Sequence, residues 1–122
     1  MSGLNSLKTG NNMGYLTYFH LKMEGPEEAI EKAKSDLLTI DDDFDILWEE
    51  GELFKWYDWL DDMTLIASRN PEVLFILDGD GEDSDDLWQW RGKGNETEFH
   101  NWSIPPFENK NLFTEHEKQN NN

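Results

Sequence analysis

Carboxylates recur at alternate positions in Asp78-Gly79-Asp80-Gly81-Glu82-Asp83, and Asp85 and Asp86 follow at once. Alternating oxygens separated by flexible glycines suit multidentate ligation of a hard cation such as Ca²⁺. The spacing departs from the helix-loop-helix calcium pattern. Counted from Asp78, Gly81 falls at the fourth position where a glycine is needed at the sixth, and the twelfth residue is Gln89 rather than Glu. A second chemistry open to these residues is phosphoryl transfer, with Asp78, Asp80 and Asp58 holding Mg²⁺ at the ends of neighbouring strands. Such a site must also attract a polyanion, yet Lys55 is the only basic residue between Asp41 and Asp62. No glycine-rich phosphate loop carrying a lysine exists.

The other side chains able to do chemistry are scattered. His20, His100 and His116 are the only histidines and have no metal-pair spacing. Ser35, Ser68, Ser84 and Ser103 lie in no nucleophile-elbow setting, and the absence of cysteine removes thiol mechanisms. The sequence therefore implies no catalytic residue, no cofactor and no resident metal. It points instead to charge: 27 acidic residues against 10 basic give a formal net charge of −17. Ten of those acids fall between residues 41 and 62 and six between 78 and 86, so two blocks hold most of them. A field of this kind repels nucleic acid and anionic membranes and attracts basic protein surfaces.

So acidic a chain stays unfolded when aromatics are scarce. Six Trp, seven Phe and three Tyr reverse that expectation and predict one folded domain with an anionic shell. Trp48, Trp56, Trp59, Trp88, Trp90 and Trp102 are read chiefly as core. Trp88 and Trp90, alternating on an outer strand, are also candidate interface anchors.

The elements that must position the acids follow in order. Residues 1–12 read as a polar leader, 13–107 as the domain and 108–122 as a disordered polar tail. Gly14–Met23 is β-rich and predicts a first strand. Glu24-Gly25-Pro26 breaks it, and Ala29, Ile30, Ala33 and Leu37 recur at helical spacing. Phe44–Trp48 alternates as a short strand would, with a helical extension as the other reading, and Leu53–Tyr57 reads as its returning partner. Asp58 stands where a helix cap would, ahead of Asp61, Asp62 and the apolar stripe Trp59, Leu60, Met63, Ile66 and Ala67. Asn70-Pro71 stops that helix. Val73–Leu77 is the longest unbroken apolar run, the signature of a strand buried on both faces, and the acidic loop leaves its end. Leu87–Arg91 and Glu96–Ile104, around Gly92–Asn95, predict two more strands. The expected fold is α+β: a ferredoxin-like βαββαβ sheet with two helices on one face and an added C-terminal β-hairpin.

Lys55-Trp56-Tyr57-Asp58, Asp61-Asp62-Met63, the strand Val73–Leu77 and Gly79-Asp80-Gly81-Glu82-Asp83, with Trp88 after it, together resemble a group of small acidic phage and bacterial proteins. The likeness spans roughly Gly14 to Phe107. It implies a phage or mobile-element setting and a ferredoxin-like plan, and it carries no catalytic residues. Charge and setting together predict a non-catalytic inhibitor that mimics nucleic acid. It would block the basic surface of a nucleic-acid-handling host protein, such as a CRISPR effector nuclease, in the host cytoplasm. The expected contact residues are Asp58, Asp61, Asp62, Asp78, Asp80, Glu82, Asp83, Asp85, Asp86, Trp88 and Trp90. Direct nucleic-acid binding and membrane insertion are not expected, since no apolar run approaches the roughly 18–20 residues that span a bilayer. The alternative expectation is a metal-dependent phosphoryl-transfer enzyme or cation-binding module built on Asp78–Asp83.

Overall fold

Val73 to Leu77 occupy the centre of the molecule, each of the five 4% exposed or less. Val73, Phe75 and Leu77 pack into the main core, while Leu74 and Ile76 join Leu112 in a second cluster. A strand buried on both sides has no need of alternating polarity, and so the run is continuous. The computed structural model describes residues 16–82, 86–101, 108–115 and 117.

Five strands form one sheet: β1 (Thr17–Glu24), β2 (Glu52–Phe54), β3 (Leu74–Gly81), β4 (Leu87–Lys93) and β5 (Glu96–Asn101). Their order is β2-β1-β3-β4-β5, and every pairing is antiparallel. Three helices accompany them, α1 (Glu27–Ile40), α2 (Asp45–Glu49) and α3 (Trp59–Arg69). Ala33 and Leu37 of α1, Leu47 of α2, and Met63, Ile66 and Ala67 of α3 share one buried cluster with Phe19, Leu21, Trp88 and Trp90. All three helices therefore lie on one face of the sheet. The architecture is α+β, as the sequence predicts.

The expected ferredoxin-like plan is not reproduced in full: it needs two strands between its two helices, and this chain has one there. The difference starts at Phe44–Trp48, where the expected strand is a 3₁₀ turn (Asp42–Phe44) running into α2. Asp41 explains it: its carboxylate accepts a hydrogen bond from the Asp43 amide at 2.9 Å and starts the turn. Phe44 and Leu47, three residues apart, then bury on one side. Without a strand there, β2 has no hairpin partner and is the edge strand, paired only with β1, Thr17 opposite Phe54.

Asn70 fastens α3 to α1. Its amide nitrogen donates to the Ile66 carbonyl and the Asp36 carboxylate at 2.9 and 3.0 Å, and its oxygen accepts from Lys32 at 3.1 Å. The Asn70 amide is the first cause of the lowered Asp36 pKa; burial opposes it and Lys32 reinforces it.

Residues 108–115 and 117, part of the expected disordered tail, form a strap across the outer face of the sheet. Leu112, in a 3₁₀ turn (Lys110–Leu112), is fully buried there. Thr114 and Glu117 form a reciprocal capping pair, each side chain accepting the other's amide, at 3.1 and 2.9 Å. Arg91 of β4 donates to both Glu117 carboxylate oxygens, at 2.6 and 3.0 Å, and to the Leu112 carbonyl at 3.0 Å. Glu98 of β5 accepts the Glu108 and Asn109 amides. The strap thus closes the apolar half of a face that the three helices leave uncovered. The expected leader, residues 1–12, lies outside the described residues.

Candidate functional site

Alternation along β3 sends Asp78 and Asp80 to the outer face and Gly79 to the helix face. Gly79 must be glycine because the indole of Trp88, its cross-strand neighbour, fills the place of a side chain: an added Cβ would stand 2.1 Å from that ring. The Gly81 amide donates to the Asp86 carbonyl at 2.8 Å and closes the base of the acidic loop. Glu82 accepts the Leu16 amide at 2.7 Å, which ties the loop to the entry of β1.

The predicted acids divide by role. Asp78 is half-buried and accepts from the Gln89 amide at 2.5 Å; the Gln89 oxygen in turn accepts from Arg91 at 2.8 Å. This chain of bonds reaches Glu117, whose pKa the Arg91 guanidinium pulls down to about 2 against the opposing effect of burial. Asp78 is therefore part of the outer-face network. Asp80 is exposed beside Tyr18 and Leu87. Asp62 turns inward and accepts the Trp56 indole N–H at 2.8 Å. Asp58 and Asp61 are exposed at the start of α3, and Asp58 makes no side-chain cap bond, contrary to the capping role its position suggests. Asp83 and Asp85 lie outside the described residues.

Both acidic blocks nevertheless converge on one end of the sheet. β3 and β2 finish there and β1 and β4 begin there, with Thr17 opposite both Gly81 and Phe54. Phe44 packs against Trp56 at 4.5 Å between ring centres, which brings Asp42 and Asp43 to the same end. Trp59, at the start of α3, stacks on Trp88 near the start of β4 at 4.4 Å and 14°. Asp78 and Asp80 share this end with Asp58 and Asp61 but stand on the opposite side of the sheet. Lys55, the one cation within the acidic blocks, is 2% exposed.

Trp90 is a core side chain at 1% exposure, not a surface anchor, because α3 covers it and Trp59 meets it edge-on. Trp88 is 8% exposed and borders a cleft of about 200 Å³ at the acidic end. Trp56, Tyr57, Trp59 and Trp88 line it, with Phe19, Thr17 and Asp86. Tyr57 is the most open of these, at 59%. Sequence reasoning missed the cleft, since Trp59 and Trp88 are 29 residues apart and nothing in the local pattern announces their stacking. The closeness of Trp56, Tyr57 and Trp59 in the chain was the available signal.

Chemically, this end offers carboxylate oxygens and aromatic faces. It can accept hydrogen bonds and hold positive charge. Among the described residues no three His, Asp or Glu side chains come together as a metal-binding group. Among them also, no helix is long and apolar enough to cross a membrane. Comparison with protein-family models, curated proteins and solved structures finds no match to this chain.

Proposed function

We propose that this chain is a non-catalytic interaction protein of phage or mobile-element type. Its acidic end imitates nucleic acid and occupies a basic, nucleic-acid-binding surface on a host defence protein, such as a CRISPR effector nuclease. The observation that carries this reading is the convergence of two carboxylate blocks on one end of the sheet, where Lys55, the single cation within them, is buried. Exposed carboxylates on both sides of that end present negative charge along an edge, as a phosphate backbone does. Such a field acts mainly on the rate of encounter and on exclusion of wrong partners.

The phosphoryl-transfer alternative gains nothing from the geometry. Asp78 is held by Gln89, Asp80 faces outward on the same side, and Asp58 stands across the sheet from both.

The test is affinity purification from host lysate followed by competition with nucleic acid. The protein should return a nucleic-acid-binding partner and displace its DNA or RNA. Replacing Asp58, Asp61, Asp80, Glu82 and Asp86 by their amides should slow association about tenfold or more at low salt, with the fold intact. Unchanged association rates in that variant, or a partner with no basic surface, would sink the proposal.

A further inference from the structure

The aromatic cleft at the acidic end has a size and chemistry of its own. Pockets for cofactors and drug-sized molecules run from roughly 300 to 1,000 Å³, and at about 200 Å³ this cleft falls below that range. It suits one side chain. Trp56, Tyr57, Trp59 and Trp88 line it, Tyr57 the most exposed of them, and Thr17 and Asp86 stand at its margin. Asp58 and Asp61 flank Tyr57 and Trp59 in the chain and are exposed.

We infer that this cleft receives the guanidinium of a single arginine from the basic partner, an inference that rests on the function proposed above. Indole and phenol faces attract cations through their ring quadrupoles, and tryptophan does so most strongly. Arginine fits better than lysine for two reasons. Its guanidinium is flat, so it can stack within an aromatic cleft, and it is weakly hydrated, so leaving water costs it less. Arginine and aromatic side chains also dominate the energetic centres of protein interfaces, where surrounding contacts exclude water. A nucleotide base could stack on the same rings, but the carboxylates repel its phosphate, and no cationic groove is present among the described residues to hold a backbone. The cleft therefore adds a specific anchor to an otherwise diffuse field.

The experiment titrates the full chain with an oligoarginine peptide and with an oligolysine peptide of equal length and charge, reading tryptophan fluorescence. Three variants accompany the wild type: Tyr57→Ala, Asp86→Asn, and Asp43→Asn, which removes the same charge outside the cleft. Circular dichroism confirms that each is folded. Oligoarginine should bind about fivefold more tightly than oligolysine. Tyr57→Ala and Asp86→Asn should each weaken oligoarginine by about fivefold to tenfold, and Asp43→Asn by less than about twofold. Equal binding of both peptides, with Asp43→Asn as harmful as Asp86→Asn, overturns the arginine site and leaves the charge-based function standing. Failure of the wild type to bind either peptide removes both. Quenching by a single-stranded oligonucleotide that Tyr57→Ala abolishes also overturns the inference.

Discussion

A methyl group at Gly79 would stand 2.1 Å from the indole of Trp88, which cannot retreat because Trp59 stacks on it and Phe99 packs beside it. Gly79→Ala should cost about 1–3 kcal/mol, the range for overpacking a filled core. Urea denaturation measures the loss, and a shifted tryptophan emission maximum should accompany it. Asp62 makes the opposite point about reading residues singly. In sequence it is one more rim acid, but the Trp56 indole N–H is nearly buried and needs an acceptor, which Asp62 supplies at 2.8 Å. Asp62→Ala should destabilise by about 1–2 kcal/mol, whereas Asp61→Ala should do little. The alternate spacing of Asp78 and Asp80 was legible, although the sequence puts both in a loop beyond Leu77 whereas β3 runs on to Gly81 and so sets them on one face. Asp62 was not, since its orientation depends on a ring from outside the helix.

At the level of elements, the helices α1 and α3 and the strand β4 could be read from their apolar periods, β3 from its unbroken apolar run and β1 from its β-forming residues. Phe44–Trp48 could not, as five residues are too few to separate a period of two from one of 3.6. The Asp41 cap was the deciding feature. The strap was missed for another reason: Leu112 and Phe113, adjacent among polar residues, carry no period, and the strap is anchored by hydrogen bonds to β4 and β5. Leu112→Ala should lower stability by roughly 2–5 kcal/mol. Hydrogen exchange should show the loss first in the amides of residues 109–117. The Arg91–Glu117 pair gives the strap a dependence on pH. Glu117 titrates at about 2 in the folded chain against 4.5 in the reference state, so its contribution is full above about pH 4.5 and disappears as pH falls to about 2. Glu117→Gln should therefore be less stable than the wild type at pH 7, by about 1 kcal/mol, and the two should converge in acid. Melting curves of both proteins across that interval provide the check.

For the whole molecule, a formal charge of −17 sets two demands against each other. The compact state confines like charges, so screening them should favour folding, while the same screening shortens the reach of the field towards a basic partner. Raising NaCl from about 0.02 M to about 0.5 M should move the urea midpoint upward and slow association with the partner, two opposite responses to one variable. Both are readable in one salt series, by denaturation and by stopped-flow mixing. Topology adds a matter of timing. The strap is the last described part of the chain to be synthesised, and until it arrives Leu74 and Ile76 lack Leu112, the residue that completes their cluster. During translation the sheet is complete on its helix side and unfinished on its back, so a nascent chain halted before Glu108 would present an adhesive surface. Any fusion or truncation that delays residues 108–117 should thus raise aggregation in the cell more than it changes the contacts at the acidic end.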